Sequence, residues 1–233
     1  MLLFILFIGI LEDKETPLLF GAGTGVHFVQ KEVYWNELFS ENGAQLRFEE
    51  GWGGWAKANI GIKKFYHFPG YKYKDWYKEF VRVSEIFLYP KLIFYGYNIG
   101  SYKLKGKASE FGNINIDIIP IGLSMGVFSG SLPCYPYIEV GVGTPIVFER
   151  WDLKKGVGGR NPSGSCQSMG FYFAGSMGML WQFSEKIAAN ISGGYNWVMS
   201  FHGEEKEMPT SSQGIKNESL NGLEFRIGLI FGT

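Results

Sequence analysis

From about residue 18 onward the chain alternates with a period of two, the mark of strands whose two faces meet different surroundings. The clearest stretch is Lys186 to His202. Its odd positions include Ile187, Ile191, Tyr195, Trp197, Met199 and Phe201, and its even positions Asn190, Ser192, Gly194, Asn196 and Ser200. The preceding stretch sets Met169, Phe171, Phe173, Met177, Met179, Trp181 and Phe183 opposite Ser168, Gly170, Ala174, Ser176 and Gly178. The last sets Leu223, Phe225, Ile227, Leu229 and Phe231 against Glu224, Arg226 and Gly228. Further strands are expected at Leu18–Val29, Ile114–Val127 and Tyr137–Phe148, with weaker alternation at Gly53–Lys64 and Ile86–Gly100. That predicts eight strands. Ten remain open, because Gln30–Glu79 is poorly patterned, and no amphipathic helix of normal length is expected. The links after Phe183 and across Phe128–Leu132 are short, whereas Asp152–Ser165 and Gly203–Ser219 are long and polar. Short and long links alternate, as in a meander whose two ends face different compartments.

Residue size indicates which face is wet. A soluble barrel fills its inside with large residues and covers its outside with Lys, Glu and Thr. Here the polar faces carry Gly, Ala, Ser and Asn, which fit the cramped interior of a narrow closed barrel. The other face carries Phe, Trp, Met and Ile. Trp181 and Phe183 stand at one margin and Trp197 and Phe201 at the other, where interfacial aromatic girdles belong. Composition agrees: 33 of the 233 residues are glycine, and aromatics make up 17%. The predicted fold is all-β, an antiparallel up-and-down transmembrane β-barrel, and closure removes the strand edges that lipid cannot satisfy.

Basic and acidic side chains balance at 22 each, so the chain lacks the cationic footprint of a nucleic-acid binder. The longest apolar run, Met1–Leu11, is too short for a membrane-spanning helix but has the character of a signal-peptide core. It has no basic residue before it and no small-x-small cleavage site before Glu12. The expected organisation is therefore a signal-like segment and short lead over 1–17, followed by a barrel domain over 18–233. A buried first element of a soluble core is the alternative for the first segment.

These residues resemble the small outer-membrane β-barrel proteins of Gram-negative bacteria, the OmpA/OmpX/OmpW-like group. The likeness runs from about Ile114 to the C-terminus and more loosely from Leu18. It rests on Ile118-Ile119-Pro120-Ile121-Gly122-Leu123 leading by a short turn into Pro136-Tyr137-Ile138-Glu139-Val140-Gly141-Val142-Gly143. The hairpin Gly178–Ala188 and the closing strand Leu223–Phe231 follow in order. Gly232-Thr233 follow Phe231, whereas the family usually ends on the aromatic itself. The resemblance implies residence in the bacterial outer membrane among its lipids and lipopolysaccharide. It also implies that the outer-membrane assembly machinery reads the C-terminal strand.

Candidate chemistry is sparse. Lipid-modifying barrels place a His and a Ser two residues apart on a lipid-facing strand. Here Ser200 and His202 have the reverse order and the inward face, and His27 and His67 have no Ser at that spacing. Gly21-Ala22-Gly23-Thr24-Gly25 lacks the Lys-Ser/Thr of a phosphate loop and reads as inward glycines. No cluster has metal-ligand spacing, so no cofactor and no catalytic residue is expected. The basic-aromatic stretch Lys64–Trp76 and the charges Lys154, Lys155 and Arg160 could meet lipid headgroups, although an interfacial girdle and a solvated loop are the plainer readings.

Interior charges say more. Glu139, Glu224, Arg226 and Lys57, and also Arg47 and Glu49, fall on faces read as inward. A narrow barrel must pair such charges, because a lone buried charge is costly. A salt-bridged plug is expected rather than a wide pore. The apolar parity flips between Ile118 and Ile119, which calls for a β-bulge before Pro120, and Pro145 falls awkwardly in mid-strand. Cys134 and Cys166 are placed near opposite rims, too far apart to bridge. The function expected is non-enzymatic: envelope structure, surface interaction or narrow small-solute passage. A lipid-modifying barrel enzyme and a soluble lipocalin-like barrel are the alternatives.

Overall fold

A computed structural model describes residues 18–31, 34–41, 43, 45–62, 92–108, 112–129, 133–154, 163–184, 186–201 and 217–232. The signal-like segment, the basic-aromatic stretch at 64–76, the strand start expected at Ile86, and Lys155, Arg160, His67 and His202 lie outside them. In chain order the elements are β1 (Leu18–Lys31), α1 (Tyr34–Glu41), β2 (Arg47–Phe48), β3 (Gly51–Ile62), β4 (Leu92–Ala108) and β5 (Gly112–Phe128). They continue with β6 (Cys134–Leu153), β7 (Ser163–Gln182), β8 (Ile187–Phe201), β9 (Asn217–Ser219) and β10 (Asn221–Gly232). Eight strands pair antiparallel in the order β1-β3-β4-β5-β6-β7-β8-β10, and β10 returns to β1 to close the barrel. β2 and β9 are short additions on β4 and β8.

The register sets the width of this barrel. Starting at Leu19, partners run through Asn59, Gly96, Ser124, Gly141, Ala174, Asn196 and Gly222 and return to β1 at Val29, ten residues on. With strands about 4.8 Å apart and about 3.3 Å of rise per residue, that stagger tilts the strands by about 40° and gives a backbone radius of about 8 Å. Such a bore is filled by its own side chains. Glycine makes room where rings lie across it. A Cβ at Gly126 would sit 2.3 Å from the Phe94 ring, and one at Gly164 would sit 2.4 Å from the Trp151 ring.

One end of the barrel carries both ends of the described chain, Leu18 and Gly232, and the other carries α1. They are called here the termini end and the helix end. Toward the termini end and through the middle, large apolar residues point out: Ile138, Met177, Ile191 and Ile227 are each more than half exposed. Small and polar ones such as Ser124, Asn190, Ser192 and Asn196 point in and are buried. On β7 the outward span from Phe171 to Trp181 is ten residues, about 25 Å along the barrel axis at that tilt, which matches the lipid-facing band of a transmembrane barrel. A continuous apolar exterior of this kind does not describe the soluble lipocalin-like alternative.

At the helix end the pattern inverts. β4, β5, β6 and β7 have 17, 17, 20 and 20 residues against 12 to 15 for β1, β3, β8 and β10, so they stand above the band. On this projecting sheet Leu104, Ile114, Ile116, Ile118, Val147, Trp151 and Leu153 point in, while Lys103, Lys105, Asn113, Asn115, Arg150 and Asp152 point out. The inner face is apolar because α1 packs on it, and the outer face is polar because it stands in water.

That inversion corrects the expected bulge. β4 and β5 keep one register on both sides of Pro120, from Ile99↔Ile121 to Tyr102↔Ile118, and the β5–β6 ladder is unbroken. Burial alternates without a slip, with Ile114, Ile116 and Ile118 inward and Ile121 and Leu123 outward. The apolar face changes because the surroundings change, not because the strand does. Pro120 and Pro145 face each other across β5 and β6. Pairing lapses on their far sides, beside Ile99–Tyr102 and beside Gly143–Ile146, where a missing N–H disrupts least. The connections also depart from strict alternation. Three residues join β4 to β5 at the helix end, and 29 join β3 to β4 at the termini end.

Candidate functional site: the filled lumen

The lumen has three layers. At the helix end α1 closes the bore. Tyr34, Trp35, Leu38 and Phe39 are buried on one face of the helix, against Leu104, Ile114, Ile116, Trp151 and Leu220. The Trp35 and Trp151 rings lie 5.6 Å apart, and the Trp35 indole N–H donates to Glu149 Oε2 at 2.8 Å, with both residues fully buried. At the termini end Trp55, Phe94, Phe128, Tyr137, Leu180 and Ile230 form a second apolar cluster. Phe94 stacks on Phe128 at 4.5 Å between centroids.

Between these clusters lies the polar layer, and it holds the charges. Lys57 Nζ lies 3.4 Å from Glu139 Oε2, with both side chains 5% exposed. The same ammonium sits 5.8, 5.4 and 5.2 Å from the ring centroids of Trp55, Phe94 and Tyr137, an aromatic surround that favours a cation. Arg226 meets Glu224 in a two-pronged contact, Nε to Oε1 and Nη2 to Oε2, the latter at 2.7 Å. Asn196 Nδ2 donates to the same Oε2 at 2.6 Å, and the Tyr137 hydroxyl donates to Asn190 Oδ1 at 2.7 Å. The bidentate geometry and the aromatic surround offset part of the desolvation that burial imposes on these ions.

Other residues singled out in the sequence lie elsewhere. Arg47 and Glu49 are exposed outside the barrel, not in it, because β2 runs along β4 on the projecting sheet. Glu49 there accepts a hydrogen bond from Lys107 at 2.6 Å. Trp181 and Phe183 are exposed at the termini end, and Trp197 and Phe201 are exposed toward the helix end. His27 is sealed inside with its ring 5.7 Å from Tyr102. Ser200 is also inward and buried. Among the described residues no group of His, Cys, Asp and Glu could hold a metal ion. The helix α1 was missed from sequence. Its one signal is the spacing of Tyr34, Trp35, Leu38 and Phe39, too short a run to show a helical period beside so many strands.

No protein-family model matches the chain, and no curated protein matches it. Solved structures do. The outer membrane protein OprG from Pseudomonas aeruginosa superposes with a TM-score of 0.51 at 12% identity, over 93% of this chain and 95% of that one. The fold is that of a bacterial outer-membrane β-barrel. Two further structures superpose more loosely on this outer-membrane barrel. One is the outer membrane protease OmpT from Escherichia coli (TM-score 0.45, 8% identity, 95% and 98% covered). The other is Ail, the attachment invasion locus protein of Yersinia pestis, in complex with the heparin analogue sucrose octasulfate (0.41, 8%, 94% and 97%). At these identities the likeness is one of architecture. The lipid-facing band, the closed ladder and the filled lumen of this barrel are its own residues' doing.

Proposed function

We propose that the chain is a non-enzymatic, non-conducting outer-membrane barrel that presents α1 and the projecting β4–β7 sheet at the cell surface, in envelope structure or surface interaction. The observation that carries this reading is the lumen, where an ion-paired layer of buried side chains lies between two apolar clusters. Longer outer connections and shorter periplasmic turns are the habit of such barrels. Three of the four links at the helix end are long, and two of the three at the termini end are short, so the helix end faces outward. Residues 1–17 serve export, the closing strand through Phe231 is the part offered to the assembly machinery, and Trp181, Phe183, Trp197 and Phe201 hold the barrel at the two lipid interfaces. Against an enzymatic role stands His27, the one imidazole among the described residues, which is buried away from any substrate in the membrane. Planar-bilayer recording of the purified protein tests the reading. Silence is expected at voltages that leave the barrel folded, and a steady unitary conductance overturns it. Mass spectrometry of lipopolysaccharide from expressing cells should show no new acyl or phosphate state.

A further inference from the structure

The outward face of β4 changes character along its length. Tyr97 and Ile99, 45% and 47% exposed, belong to the apolar band. Beyond Ser101 come Lys103, Lys105 and Lys107, all outward and exposed. Alternate residues share a face, so the three ammonium groups form one column with its roots about 7 Å apart. The column starts where the band stops. Lys103 is four residues past Ile99, about 10 Å further along the axis at a tilt of about 40°, and its partner across the ladder is Trp52, 63% exposed, a residue type that favours the lipid interface.

Water alone does not ask for this column. On β5 and β7 the outward positions are polar without being cationic, namely Asn113 and Asn115, and Ser163, Ser165 and Gln167, while on β6 the outward Arg150 is matched by Asp117. Like charges aligned on one strand repel, so the column is an unfavourable arrangement unless an anion joins it. The protein supplies only part of one. Glu49 takes Lys107 at 2.6 Å, and Asp117, which pairs with Lys103 in the ladder, is taken by Arg150 at 2.6 Å. Among the described residues neither Lys103 nor Lys105 has a carboxylate of its own: Glu49, whose backbone N–H donates to the Lys105 carbonyl at 2.8 Å, is shared between Lys105 and Lys107, and the exposed Arg47 stands opposite Lys107 to extend the cationic strip.

We propose that Lys103 and Lys105, at the membrane side of the strip that Lys107 and Arg47 extend, hold the phosphate groups of an anionic lipid headgroup at the helix-end margin of the membrane. This rests on the membrane placement proposed above and gives that surface its ligand. The occupant is a lipid rather than a free anion because the cations sit directly above the band that the lipid's own chains must line.

The test uses the full-length protein in neutral phosphatidylcholine vesicles, titrated with bisphosphorylated lipid A and, separately, with the same lipid dephosphorylated. Wild-type protein should retain the phosphorylated form, and K103Q/K105Q should hold it about thirtyfold more weakly, with the dephosphorylated form bound equally by both. Lys154→Gln, on the same sheet but off the column, should change nothing. Equal retention by wild type and K103Q/K105Q overturns the proposal. So does a loss as large in Lys154→Gln, which would make the effect one of net charge, or full displacement by millimolar inorganic phosphate, which would make the site one for free anions. Wild-type protein that fails to insert into the vesicles overturns the membrane placement as well, whereas inserted protein that ignores the phosphates overturns this proposal alone.

Discussion

Removing one member of the Lys57–Glu139 pair should cost far more than removing both. At 3.4 Å and an effective dielectric of about 20, the two charges attract by about 5 kcal/mol. Both side chains are 5% exposed, so water cannot take over when one partner goes. Lys57→Met keeps most of the aliphatic stem against Trp55, Phe94 and Tyr137 but leaves the Glu139 carboxylate buried and alone, a loss of about 3–5 kcal/mol. Glu139→Met strands the ammonium and should cost a similar amount. In Lys57→Met/Glu139→Met neither charge remains to be desolvated, and the lumen is filled by side chains of similar volume. The double variant should therefore lie within about 1 kcal/mol of wild type. Denaturant unfolding of the barrel reconstituted in lipid vesicles reads this as a midpoint shift with unchanged slope. A single variant that shifts stability by less than about 1 kcal/mol, or a double variant as damaged as the sum of the singles, refutes the argument that burial makes this pair obligatory.

Three further outcomes bear on the faces and ends of the barrel. Met177→Arg or Ile191→Arg, at positions 69% and 62% exposed to lipid, should cost about 2–4 kcal/mol, whereas the inward Ser192→Ala should be mild; equal tolerance, read by the same unfolding assay, contradicts the band. Trp35→Ala removes a fully buried indole and its hydrogen bond to Glu149, and should cost about 3–5 kcal/mol, with hydrogen exchange rising at the helix end and not at the termini end of β8 and β10. Cys134 pairs with Trp181 and Cys166 with Glu149, fifteen residues apart along β6 and about 50 Å of strand, so thiol titration of the denatured, non-reduced monomer should count two free thiols.

Much of this fold was legible because lipid imposes a simple rule. Where a strand crosses the band, outside is apolar and inside is small or polar, and period two then reports the face directly. Met169 to Phe183, Ile187 to Phe201 and Leu223 to Phe231 obey it except where Leu180, Val198 and Ile230 turn inward to the apolar clusters. The same rule located Lys57, Glu139, Glu224 and Arg226 on inward faces, although alternation alone could not say which acid would meet which base. Lys57 finds Glu139 across 82 residues of sequence, through a stagger that only the closed register sets. Arg47 and Glu49 were misplaced because β2 belongs to the projecting sheet, where the rule no longer holds.

The Ile114–Leu123 segment shows what that rule leaves out. Read as one environment, its apolar residues change parity, and a bulge is the only local device that repairs the pattern. The strand instead runs straight from one environment into another. Below Pro120 it sees lipid outside and the polar lumen inside. Above it, Ile114, Ile116 and Ile118 see the cork formed by α1 inside, while Asn113 and Asn115 see water outside. A parity change in a barrel strand therefore has two physical causes, a slip of register or a crossing of the membrane surface. They differ in what the neighbouring strands do. A slip leaves the neighbours' faces as they were, whereas a crossing inverts them at the same height. β4 inverts too, from outward Tyr97 and Ile99 to inward Tyr102 and Leu104, and so does β6, from outward Val140 and Val142 to inward Val147 and Trp151. Three adjacent strands inverting together mark the edge of the membrane, and the apolar inner face above that edge requires a covering element, the place that α1 fills.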